Sequence, residues 1–309
     1  MARKQQICVD QTPYYHIVSR CVRQAYLCGY DAHSQKSFEH RRQWLIDRIK
    51  KVASAFAIDV CSYAIMSNHF HLVLKIGDNT QWTNRQVLIT WLSLYSLPTL
   101  CQRYLQGDIT DDSELKRVQK DVAIYRERLC SISWFMKSVN EYIARKANQE
   151  DECTGHFWES RFKSQALLDE RALLTCMVYV DLNPIRAGLA KSLSDSEFTS
   201  IKERIEKKHT DLLAFGQGDN NLPYFLSSYL DLVDRTGRLI RDDGHGFIPE
   251  IMMPLLTELN LNPNTWLEEL NAFKSFGFSA AGTVQQLRDF SNKTQKNWSV
   301  GLRLEPTLE

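Results

Sequence analysis

The chain has 309 residues, a formal net charge of +1, 43% hydrophobic and 24% charged side chains. That composition excludes collagen-like and intrinsically disordered classes and fits a globular protein. No apolar run reaches the ~18 residues of a membrane span and no apolar stretch follows the charged N-terminus, so a cytoplasmic protein without membrane segment or signal peptide is expected.

Eight cysteines are scattered without a Cys-x-x-Cys pair, which argues against a zinc knuckle or disulfide framework and for reduced thiols. The small net charge conceals an asymmetry. Residues 1–75 hold eleven Lys/Arg against five acids, whereas residues 190–309 hold thirteen against seventeen. A basic N-terminal portion suits a polyanion surface, although spare lysines on helix faces are common.

In chain order, "YYHIVSRCV" (14–22) alternates as a strand does. Residues 37–58 space Phe38, Trp44, Leu45, Ile49, Val52 and Phe56 as an amphipathic helix opened by Ser37. "DVCSYAIM" and "HFHLVLKI" read as strands of a hairpin joined by Ser67-Asn68. A largely helical stretch covers 84–130, a further helix 131–149, and a break falls at Gly155. "HFWESRFKSQALL" (156–168) reads as an aromatic, basic strand. Residues 169–183 form a helix with acids at its start and Pro184 as its stop. A charged helix at 197–209 and "GQGDNNLP" mark a loosening at 190–222, and helical segments follow at 225–249 and 261–276. This order predicts an α+β fold, helices on an antiparallel-rich sheet.

Two residue pairs carry chemistry. On a strand, His69 and His71 share a face about two rises of ~3.3 Å apart, so both reach one ion while Phe70 points to the packing behind. Two imidazoles alone do not close a metal site, and such a pair is otherwise an ordinary surface or hydrogen-bonded feature. Tyr179 and Asn183 lie one helical turn apart on one face. An amide oxygen beside two imidazoles suits Mg2+ or Mn2+, and a tyrosine one turn away then faces a metal-bound phosphate as nucleophile. Taken singly, Tyr179 reads equally as a core aromatic and Asn183 as a helix end before proline.

The His-Phe-His strand, "YVDLNPIRAGLA" (179–190), "GHFWESRFKSQAL", "YYHIVSR" and "YAIMSNHFHLVLK" together resemble the single-tyrosine HUH transposases, in particular the REP-associated tyrosine transposases. The resemblance runs from about residue 13 to 190. It implies a ferredoxin-like HUH core with a central antiparallel-rich sheet flanked by helices. It also implies His69 and His71 as metal ligands, Asn183 as the third, amide-bearing ligand, and Tyr179 as nucleophile. The activity it implies is metal-dependent cleavage and rejoining of single-stranded DNA near a hairpin through a 5′-phosphotyrosine, by a monomer or a homodimer.

Residues 1–190 are then expected to form the nuclease domain, with a helical insertion at about 78–130, and residues 191–309 a mostly helical C-terminal extension that covers the site, restrains DNA or binds a partner. Arg20, Arg23, Arg161, Lys163 and Arg186 are candidate DNA contacts, interleaved with Phe157, Trp158 and Phe162 as stacking rings, and Arg3 and Lys4 as an arm. His245, a loop histidine between glycines, is left outside the site. Two other readings stand beside this one. One is a catalytically silent protein that binds structured DNA or RNA; the other is a water-using phosphodiesterase, which would tolerate loss of Tyr179.

Overall fold

The computed structural model describes residues 7–22, 27–31, 35–206, 210–218, 220–241, 255–256, 263–275, 277–294 and 301–304. Arg3, Lys4, Arg23 and His245 lie outside them. The strands are β1 (Tyr14–Arg20), β2 (Tyr30–Asp31), β3 (Lys36–Ser37), β4 (Ile58–Ile65), β5 (His69–Ile76), β6 (Lys163–Leu167), β7 (Ala280–Gly282) and β8 (Gly301–Arg303). The helices are α1 (His40–Ala53), α2 (Asn84–Leu92), α3 (Thr99–Gln106), α4 (Asp112–Leu129), α5 (Ile132–Glu150), α6 (Glu170–Asp181), α7 (Asn183–Arg186), α8 (Ser200–Glu206), α9 (Leu226–Arg241), α10 (Pro263–Ala272) and α11 (Val284–Lys293). No helix among the described residues is long and apolar enough to cross a membrane.

Six strands form one mixed sheet in the order β4-β5-β1-β6-β7-β8. β1 pairs antiparallel with both β5 and β6, whereas β6–β7 and β7–β8 are parallel. Central position explains the burial of β1 and β5 on both faces: Tyr15, Ile17 and Phe70 are fully buried on one side, His16 and His71 on the other. The chain divides into two compact units, residues 1–43, 60–75 and 157–309 in the first and 44–59 with 76–156 in the second.

In the first unit α6 is buried along its whole length from Ala172 to Asp181. A helix apolar all round needs cover on every side. The strands β6 and β7 provide it on one side and α10 on another, with Val73, Leu167, Trp266 and Phe273 in the same core cluster. Asp169 caps α6, its carboxylate accepting from the Ala172 N–H at 2.7 Å. Trp266, Leu270, Phe273, β7 and β8 are thus part of the sheet and core around α6, and no division of the compact units falls at 190. Their strands escape sequence reading because "AAG" and "GLR" are too short and too poor in β-branched residues to show alternation. Gly282 is required by close approach: a Cβ there would lie 2.9 Å from Leu168 Cβ.

The second unit is helical. Trp91 is the centre of an aromatic stack, with Tyr95 at 4.5 Å and Tyr125 at 4.6 Å between ring centroids. A capping box of Thr83 and Gln86 starts α2, and Asp111 caps α4.

Two local expectations are corrected. Helix α1 begins at His40, not Ser37, because Ser37 is paired with Tyr30 in the β2–β3 ribbon. Pro184 does not stop a helix at 183; α6 ends at Asp181, and Pro184 lies in the first turn of α7, where its missing N–H is not needed.

The end of α6 carries a buried charge. Asp181 is fully buried and accepts from Tyr229 Oη at 2.6 Å, the Ile201 N–H at 3.1 Å and Ser200 Oγ. Burial pushes its carboxyl up to about 6 against these bonds and the nearby Arg204. The native state therefore holds a proton that the unfolded chain has already released between pH ~4 and ~6, so stability falls as pH rises through that window. The cost above it is of the order of 3 kcal/mol. Asp181→Asn removes the titration, and urea unfolding at pH 4 and pH 7 is expected to show the variant gaining on the wild type by roughly that amount; parallel pH trends would contradict the assignment.

Candidate active site on the β1–β5–β6 face

Strand register decides which side chains meet. His69 pairs with Arg20, His71 with Val18 and Val73 with His16, while His16 and Val18 pair on their other side with Gln165 and Lys163. Cross-strand partners point to one face, so His69, His71, His16, Arg20, Gln165 and Lys163 share it. Phe70 points to the opposite face, where its ring meets Trp158 edge-on at 5.7 Å. Helix α6 brings Tyr179 to the histidine face, with its ring 5.7 Å from His71 and 6.1 Å from His16.

His16 and Gln165 were not expected at the site. His16 stacks on His71 at 5.2 Å, with Nε2 3.0 Å from His71 Nδ1, and its Nδ1 lies 2.6 Å from Gln165 Oε1. The amide orientation follows from Gln165 Nε2, which donates to the carbonyls of Phe278 at 3.3 Å and Ser275 at 3.4 Å. Its oxygen can only accept, so His16 Nδ1 carries the proton. Burial lowers His16 to about 4, so the ring is neutral and its Nε2 accepts from His71 Nδ1. His71, held well below its ordinary value by burial first and His16 second, is likewise neutral and turns the lone pair of Nε2 outward from the relay.

His69 reaches the same state by a local route. Its Nδ1 donates to Asn68 Oδ1 at 2.6 Å, and burial, then Arg20, lower its pKa to about 4. Both histidines therefore have Nδ1 tied down, His69 to Asn68 and His71 to His16, and Nε2 in the form that ligates a metal. Their ring centroids are 4.9 Å apart. Among the described residues no group of three or more His, Cys, Asp or Glu side chains is disposed to hold an ion. A site here thus needs an oxygen from another residue type, and Asn183 has one: its Nδ2 donates to the Tyr179 carbonyl at 3.0 Å, which leaves Oδ1 as the atom with ligand character. An amide oxygen is a ligand type suited to Mn2+ or Mg2+, whereas imidazole is shared with other divalent metals.

Tyr179 is only 4% exposed. Burial raises its hydroxyl pKa, opposed by Arg186, the Asn183 amide and Arg20. The Arg186 guanidinium sits 5.2 Å from the ring centre and donates to Asn271 Oδ1 at 2.8 Å. Phe273 lies 6.2 Å from the Tyr179 ring and 6.4 Å from His16, so the segment after α10 lies against the site.

Of the expected cations, Arg20 and Arg186 are thus brought to the histidines and Tyr179. Lys163 is exposed on the same strand face, and Arg161 is exposed ahead of β6. Phe157 and Phe162 are buried, 2% and 9% exposed, and so are packing groups rather than base-stacking rings. Alternation puts His16 on the face of Arg20 and Gln165 on that of Lys163, but only the strand register shows that the two side chains meet.

No family model matches the chain and no curated protein matches it. Among solved structures it is similar to one described as the REP-associated tyrosine transposase bound to a REP hairpin, at 14% identity and a TM-score of 0.34, over 68% of this chain and 89% of that one. A likeness of that extent decides nothing about chemistry, which rests on the side chains above.

Gln165→Leu removes the acceptor that orders the relay. Long-range 1H–15N imidazole spectra are expected to show His71 protonated at Nδ1 in the wild type and a mixture of tautomers in the variant. Unfolding free energy should drop by about 1–3 kcal/mol for the unsatisfied His16 N–H. An unchanged His71 tautomer in the variant would refute the relay.

Proposed function

We propose that the chain is a metal-dependent endonuclease and strand transferase for single-stranded or hairpin DNA that uses Tyr179 as its nucleophile. The observation that carries this reading is the meeting of Tyr179, His69 and His71 on one sheet face, both histidines fixed with Nε2 as the ligand nitrogen. The strand order β4-β5-β1-β6, with β1 antiparallel to both neighbours, supports a ferredoxin-like core for it. On this reading the reacting side chains lie within residues 1–190, in a cytoplasmic protein.

In the reaction, Tyr179 Oη bonds to phosphorus and the P–O3′ bond breaks. The products are a 5′-phosphotyrosine and a 3′ hydroxyl, the proton passing overall from the phenol to the leaving oxygen. Rejoining is the reverse, so no nucleotide cofactor is consumed. His69, His71 and Asn183 would hold Mg2+ or Mn2+, whose contribution when bound is polarisation of the phosphoryl oxygen. Arg186 and Arg20 counter the burial that raises the Tyr179 pKa and draw a phosphate to the face. The neutral tautomers keep the histidines from competing for protons near pH 7.

One observation favours a second reading, a binding protein for structured DNA or RNA without chemistry: Tyr179 lies buried against Phe273 and Arg186. The two separate on a denaturing gel. Labelled hairpin oligonucleotides with Mn2+ are expected to give a covalent adduct that is absent with chelator and absent in Tyr179→Phe, which still binds. His69→Ala and His71→Ala should each lower adduct yield roughly 100-fold. Cleavage by Tyr179→Phe at the wild-type rate would refute the nucleophile.

Phe273→Ala opens the cover over Tyr179 and is expected to raise the rate of adduct formation several-fold. An equal or lower rate in a variant with wild-type melting behaviour would mean that Phe273 does not limit access.

A further inference from the structure

The helical unit has its own cationic groove, of about 770 Å³, lined by α1, α5 and the Leu94–Tyr95 turn after α2. Its charged lining residues are Arg48, Lys137, Arg145 and Lys146 against Glu141 alone. The α5 lining residues fall in adjacent pairs repeated every four residues (137/138, 141/142 and 145/146), so they form one helix face, and Lys137 and Lys146 stand roughly 13 Å apart along the axis.

Aromatic rings set the cations. The Arg48 guanidinium lies 4.6 Å from the Tyr142 ring centre, and Lys146 Nζ lies 3.8 Å from Trp44 and 5.9 Å from Tyr142. Arg48 is further held by Nε donating to the Ser138 carbonyl at 2.9 Å. Tyr142 is 40% exposed, an aromatic ring left open to solvent beside two cations.

We propose that this groove binds the backbone of a single DNA strand, with an unpaired base stacked on Tyr142. The proposal rests on the reading above for the identity of the polyanion. Spaced cations answer phosphates, and an exposed ring between them answers a base with a free face, which neither a duplex nor an acidic polypeptide offers.

The test is fluorescence anisotropy with a ~20-nucleotide oligo-dT, which forms no hairpin, in chelator across a salt series. Each phosphate contact contributes about 0.7 to the log–log salt slope for single strands, so Lys137→Gln/Arg145→Gln/Lys146→Gln should flatten it by about 2. Tyr142→Ala, which keeps the charges, should weaken binding about tenfold with the slope unchanged. Circular dichroism melting confirms that the variants fold, and Arg145→Glu, at an exposed position, provides a second charge change with the same expected direction.

An unchanged slope in the triple variant overturns the groove, as does poly-glutamate competing as well as oligo-dT. Oligo-U binding the groove equally would leave the single-strand assignment standing and extend it to RNA. Adduct formation at Tyr179, measured in parallel, separates the two ideas: an intact adduct with an unchanged slope sinks only the groove. A flattened slope without any adduct sinks only the nucleophile.

Discussion

Buried polar side chains must satisfy one another without help from water, and at the centre of this protein that requirement runs through Gln165, His16 and His71. An amide oxygen has a single role, acceptance, and once it faces an imidazole the proton position on that ring is decided. The next ring inherits the decision. The low polarity that makes each unmet partner costly also keeps both rings neutral, so burial and tautomer are two sides of one constraint. Remove the sheet register that puts His16 between Val73 and Gln165 and there is no chain to transmit it.

The surroundings reinforce that arrangement. Helix α6 must be apolar throughout because it is enclosed, and its one buried acid, Asp181, is tolerated only through bonds from α8 and α9. Arg204 adds a second tie, donating to the carbonyls of Cys61 at 2.7 Å and Leu213 at 3.1 Å. Elements far apart in sequence thus converge on the helix that carries Tyr179. The helical unit is organised differently, by stacked rings around Trp91 and cations laid over aromatic faces.

How much of this could be read from the sequence depends on the length scale of the signal. The face shared by His69 and His71 follows from a period of two, and the neighbourhood of Tyr179 and Asn183 from a period of 3.6, so both juxtapositions were legible. The role of His16 was not, because one histidine in an alternating strand looks like any polar residue until a second strand supplies Gln165 across the register. The aromatic run 157–162 misled for a related reason: sequence shows that rings and cations alternate but not which side is covered, and Phe157 and Phe162 turned inward. The strands β7 and β8 were illegible because three residues carry no period. That is why residues 191–309 read as a mostly helical extension, without the two short strands that join the sheet.

The carbonyls that orient Gln165 belong to Ser275 and Phe278, more than a hundred residues after it. During synthesis the chain runs from the N-terminus, so the histidines, the tyrosine helix and Gln165 itself exist long before anything holds the amide in its one useful orientation. Until residue 278 has left the ribosome and β7 has paired with β6, the His16 and His71 imidazoles have no fixed tautomers and Tyr179 has no Phe273 against it. The ordered centre therefore needs Ser275 and Phe278, and a nascent or truncated chain that ends before them contains His16, His71, Gln165 and Tyr179 without the contacts that fix the amide.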